Sequence, residues 1–121
     1  MAKDDYDVIV YKILLYLYGV MKRIIIFQEA SFNMTISRAK ISEEYLADVL
    51  RMMQGEGLID GAKIIKAWGN DYILTNDISE LSITAAGIRY LKENSTMKKV
   101  GDALEKVPGA LSNLIGIVKP L

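Results

Sequence analysis

The stretch from Ser42 to Leu91 constrains this chain more than any other. Ser42 is a good helix N-cap, with Glu43 and Glu44 in the turn after it. Acidic residues there suit the positive end of a helix dipole. Tyr45, Leu46, Val49, Leu50, Met52 and Met53 recur at spacings of three and four, which predicts one buried face on a helix from Ser42 to Gln54. Gly55 or Gly57 ends it, because glycine readily takes the left-handed cap conformation. Two β-rich runs follow, Leu58 to Trp68 and the residues after Asp71. Gly69-Asn70-Asp71 between them is turn chemistry, so they predict a hairpin. The first run is expected to bend at Gly61. Thr84 is a natural cap for a further helix, in which Ile88 and Leu91 share a face and Gly87 permits close approach of another element.

Helix, hairpin, helix in that order predicts an α+β fold of the winged-helix kind, a helix-turn-helix with a β-hairpin wing. The chain has 121 residues, half of them hydrophobic, enough for one domain with a core of its own. The domain is expected over residues 1–95, with a C-terminal helical extension over 96–121. Asp5 or Asp7 is expected to cap a first helix running to Tyr18 or Met21, apolar on more than one stripe and therefore buried around most of its circumference. Between Lys22 and Ile41 the pattern is less decisive. Ile24-Ile25-Ile26-Phe27 suits strand or helix, Phe32 to Ile36 alternates like a short half-buried strand, and Ser37 is placed to cap a turn at Arg38-Ala39-Lys40. In the tail, Val100, Leu104, Val107, Leu111, Leu114 and Val118 form a heptad-spaced seam. Pro108 interrupts it at a cost of about 3 kcal/mol inside a helix. The helix either kinks near Leu104 or restarts at Pro108.

Chemistry is narrowed by what the sequence lacks. It has no cysteine and no histidine, which removes disulfides, thiolate chemistry, most transition-metal sites, and the Ser-His and Cys-His nucleophiles. Asp4, Asp5 and Asp7, like Glu43 and Glu44, are carboxylates with no evident partner, and adjacent helical positions do not face each other. Asn70-Asp71 and Asn76-Asp77 do not match a calcium loop, and turn polarity explains them better. Gly55-x-Gly57 follows a helix rather than a strand, so it is not a nucleotide-binding loop. No enzymatic activity and no cofactor are expected. The apolar run from Val8 to Met21 is too short and too interrupted to span a bilayer, and acid clusters at the N-terminus where a secretory signal would be basic. A cytoplasmic location is expected.

Three roles fit such a chain. DNA binding would draw on Lys22, Arg23, Arg38 and Lys40 ahead of the third helix, Arg51 on it, and Lys63 and Lys66 on the wing. Against it, fifteen basic and fifteen acidic residues cancel, whereas a DNA binder gains most from basic contacts. The third helix and its exit carry Glu43, Glu44, Asp48 and Glu56 against Arg51 alone. Trp68 and Tyr72 flank the wing turn, where a cross-strand aromatic pair is the better reading than a base-stacking platform. The second role is binding another protein or a second copy through the acidic helix and the heptad seam. The third is tail contact with a membrane surface through Lys98, Lys99, Lys106 and Lys119, diluted by Asp102 and Glu105 and short of aromatics. A protein partner or homodimer is the leading expectation, DNA the alternative, and the membrane the least favoured.

One further pattern is Ile83-Thr84-x-x-Gly87-x-x-Tyr90-Leu91-x-x-Asn94-Ser95 followed by Met97-Lys98-Lys99. Together with Tyr11-Lys12-Ile13-Leu14 and Glu56-Gly57-Leu58-Ile59-x-Gly61, it resembles the YjcQ-like family of small winged-helix proteins encoded by phages and prophages of Gram-positive bacteria. The resemblance runs from about Asp5 to the tail. It implies the fold and a phage-related setting, and brings no established activity with it.

Overall fold

The computed structural model describes residues 6–67, 69 and 71–94. Over these described residues it is an α+β fold of four helices and two small antiparallel ladders. Helix α1 (Tyr6–Met21) is its centre, with every residue from Val8 to Gly19 buried. Asp7 lies inside its first turn rather than at the cap. Around α1 pack α2 (Glu29–Thr35), α3 (Glu43–Gly55), α4 (Ala85–Glu93) and the strand β4 (Ser82–Ile83).

Between α1 and α3 the structure departs from the alternation pattern. Phe32–Ile36 is not a strand: residues 29–35 form α2. Phe32, Thr35 and Ile36 are buried while Met34 is 62% exposed, which is helical spacing. The alternation of apolar and polar residues misled because Met34, though apolar, points outward. The Ile24–Phe27 run is neither strand nor helix. It is an irregular connection anchored by the hydroxyl of Tyr16, which donates to the Gln28 carbonyl and accepts from the Gln28 N–H, both at 3.2 Å. Phe27 and Phe32 each stack edge-on to the Tyr16 ring at 5.4 Å between centroids. Residues 38–40 make a single 3₁₀ turn (Arg38–Lys40), as expected. Ser37 before it is left-handed, with φ 55°, and its side chain caps nothing.

Helix α3 follows its sequence pattern closely. The Ser42 hydroxyl accepts from the Tyr45 N–H at 3.1 Å, and Leu46, Val49, Leu50 and Met53 are buried. Met52, expected on the same face, is 37% exposed. Three- and four-residue spacings allow a broad stripe, and Met52 falls at its edge. Gly57, with φ 78°, turns the chain out of the helix.

The hairpin is one long ribbon broken into two ladders. At its base β1 (Ile59–Asp60) pairs with β4, Ile59 opposite Ile83. At its tip β2 (Ile64–Lys66) pairs with β3 (Tyr72–Leu74), Ile65 opposite Ile73. Gly61 makes the bend, with φ 93°, and no β-carbon fits there because it would lie 2.3 Å from the Glu80 carbonyl oxygen. Side chains close the gap. Gln54 donates to the Ala62 carbonyl and accepts from its N–H, both at 2.8 Å. Asn76 does the same between the Gly61 carbonyl and the Lys63 N–H. Residues 75–81, including a 3₁₀ turn (Ile78–Glu80), occupy the other side. Thr84 caps α4 by accepting from the Gly87 N–H at 3.1 Å. It also donates to the Gly57 carbonyl, joining the start of α4 to the end of α3.

Candidate functional site

A cleft of about 540 Å³ opens between α2, the amino-terminal half of α3 and the strand leaving the hairpin. Leu46, Ala47 and Leu50 of α3, with Leu74 and Ile78, form its apolar part. Glu29, Glu43 and Asp77 supply carboxylates and Asn33 and Asn76 supply amides. Arg38 is the cation there, and its guanidinium already donates to the Ile41 carbonyl at 2.6 Å. Asp77 accepts from the Ser79 N–H at 2.9 Å, and that bond holds its carboxyl below the usual carboxylate range. The cleft is therefore concave, partly apolar and in excess of negative charge. Such a surface favours a cationic ligand and disfavours a polyanion.

A second, smaller hollow of about 280 Å³ lies at the other end of α3, against β2 and β3. The Arg51 guanidinium stacks over the Tyr72 ring at 4.3 Å and lies 3.9 Å from the Asp48 carboxylate. Tyr72 thus covers α3 from the sheet. Trp68, its expected cross-strand partner, lies outside the described residues.

Of the seven cations proposed for nucleic acid, Arg38 lines the first cleft and Arg51 the second. Lys22 and Arg23 are exposed just after α1, Lys40 is exposed in the 3₁₀ turn, and Lys63 and Lys66 are exposed on and beside β2. They converge on neither hollow. The seam residues Val100, Leu104, Val107, Leu111, Leu114 and Val118 lie outside the described residues. Among the described residues, no three His, Cys, Asp or Glu side chains come together as a metal site, and no helix is long and apolar enough to cross a membrane.

The cleft residues Glu29, Asn33 and Asp77 were not visible as a set in the sequence. Glu29 and Asn33 lie on α2 and Asp77 lies beyond the hairpin, and Asn76-Asp77 reads locally as turn polarity. The one local signal was Asp77 two residues before Ser79, the spacing of an aspartate turn.

A further corner joins the start of α1 to α4. Tyr6 donates to the Glu56 carboxylate at 3.5 Å. The Tyr90 phenol beside them is pushed up to about 12, first by burial and then by the negative charges of Asp7 and Glu56 and by Tyr6.

Comparison with known proteins places this architecture. The family model described as YjcQ protein matches residues 11–108. The chain belongs to the YjcQ family. The matched span runs from Tyr11 within α1 through α4 and into the first part of the tail, so the family signature covers most of the described core of this YjcQ chain. No curated protein and no solved structure matched it.

Proposed function

We propose that this YjcQ chain is a phage-related winged-helix module, without enzymatic activity, that binds another protein. The element order supports the winged-helix reading: three helices, a hairpin, then a fourth helix. It departs from the usual plan in having no strand between α1 and α2 among the described residues. The observation that carries the role is the state of α3. In a helix-turn-helix protein this helix would enter the major groove. Here Glu43, Glu44 and Glu56 are exposed, and its one cation, Arg51, is engaged by Asp48 and Tyr72. Phosphate contacts position a DNA reader before base contacts specify anything, and this helix offers acid in their place.

The test is a mobility-shift series with duplex DNA at low ionic strength, where non-specific binding is strongest. No retardation is expected. Retardation that weakens steeply with added salt would establish a DNA reader and overturn the reading. Light scattering across a range of protein concentrations then separates a partner of different sequence from a second copy.

A further inference from the structure

The hydrogen bonds at the hairpin tip determine which backbone groups face outward. The Ala67 N–H donates to the Asp71 carbonyl and the Thr75 N–H to the Lys63 carbonyl, both at 2.7 Å. With Ile65 opposite Ile73, the bonded pairs are 63 with 75, 65 with 73 and 67 with 71, since bonded and non-bonded pairs alternate along an antiparallel ladder. The N–H and C=O groups of Tyr72 and Leu74 therefore point away from β2. No described residue pairs with them, because β2 and β3 form a sheet of two strands. Among the described residues, β3 thus has an open edge. Leu74, and Asn76 and Ile78 beyond it, line the cleft, so that edge runs into it. On the outer face of the same ladder, Ile65 and Ile73 are 53% and 39% exposed as a directly opposed pair.

We propose that the cleft accepts an extended, lysine- or arginine-bearing segment of a partner protein, which adds to the open edge of β3 as a third strand. This rests on the protein-binding reading above and names the chemistry of the partner. In strand addition, main-chain bonds supply affinity and alternate side chains supply specificity. An added strand points its side chains alternately to the two faces. One set extends the Ile65–Ile73 stripe, and the other meets the leucine-lined cleft. Glu29, Glu43 and Asp77 outnumber Arg38 along the rim, which selects cationic over acidic segments.

The test uses the full chain and a fluorescein-labelled decapeptide of alternating valine and lysine, followed by anisotropy. Saturable binding on the order of micromolar is expected. The same peptide with glutamate for lysine is expected to bind at least about tenfold more weakly. N-methylation of every second peptide nitrogen, which removes the donors but keeps the charge, is expected to cost about as much. Glu29→Lys with Glu43→Lys should weaken binding by about tenfold. Asp60→Lys with Glu93→Lys, two charge reversals at exposed positions outside the cleft, should leave it unchanged, and thermal melts confirm that each variant is folded. An N-methylated peptide that binds as well as its parent overturns strand addition. Equal losses in the two double variants, or tight binding untouched by either, overturn the cleft while leaving the protein-binding reading intact. That reading fails separately, by the DNA experiment. Binding that appears only when Val100→Asp and Leu104→Asp are introduced would make the chain's own tail the occupant. A concentration-dependent dimer abolished by Ile73→Lys would make it a second copy. Either result overturns the proposal of an external partner.

Discussion

A β-carbon on Gly87 would lie 2.4 Å from the Leu58 carbonyl oxygen and 2.7 Å from Cγ1 of Ile83. The first neighbour is backbone and cannot swing aside. Gly87→Ala is therefore expected to destabilise by about 1–3 kcal/mol, although alanine is the better helix former. Gly55→Ala is the control, since nothing lies within 4 Å of its added carbon. It should stabilise by about 0.5–1 kcal/mol. Urea denaturation of the two variants reads both signs. At Tyr90 the phenol is neutral in the fold up to about 12, whereas an unfolded tyrosine ionises near its ordinary value of about 10. The stabilisation is thus complete below that ordinary value. It should be lost progressively as pH rises from there toward about 12. Tyr90→Phe should flatten that alkaline decline, measured as denaturation midpoint against pH.

At the scale of elements, α2 is the sharpest correction to the sequence. Phe32 is fully buried and Met34 is mostly exposed. Phe32→Ala should cost about 3–5 kcal/mol. Met34→Lys should stay within about 0.5 kcal/mol, as exposed substitutions do. A strand with Phe32, Met34 and Ile36 on one buried face would lose stability in both, so equilibrium unfolding distinguishes the two arrangements. The elements that were legible carried their own terminators. Ser42 and Thr84 cap their helices through the hydroxyls the sequence displays, and Gly57, Gly61 and Gly69 take the positive φ their turns require. Residues 22–36 had no such punctuation, and the Ser37 side chain, placed to cap the next turn, caps nothing. What shapes them is a tertiary contact, the Tyr16 hydroxyl holding both backbone groups of Gln28, and no local pattern announces that. The cleft was hidden for the same reason. Glu29 and Asp77 are far apart in sequence and meet only because α2 and the hairpin flank the same helix.

Taken whole, the molecule is graded in stability from its centre outward. Val8 to Gly19 are buried without a break, while the hairpin tip is three residue pairs with an exposed isoleucine on each strand. Amide hydrogen exchange should therefore be slowest in α1 and fastest in β2 and β3, with β1 and β4 between them. Uniform protection across the two ladders would contradict this gradient. With the ladders broken at Gly61, the tip is expected to open while the base stays paired. The seamless enclosure of α1 has a consequence for how such a protein changes over time. None of its sides is available to another molecule, so recognition is confined to the outer elements. Substitutions that alter the choice of partner can accumulate there while the central rod keeps the chain folded.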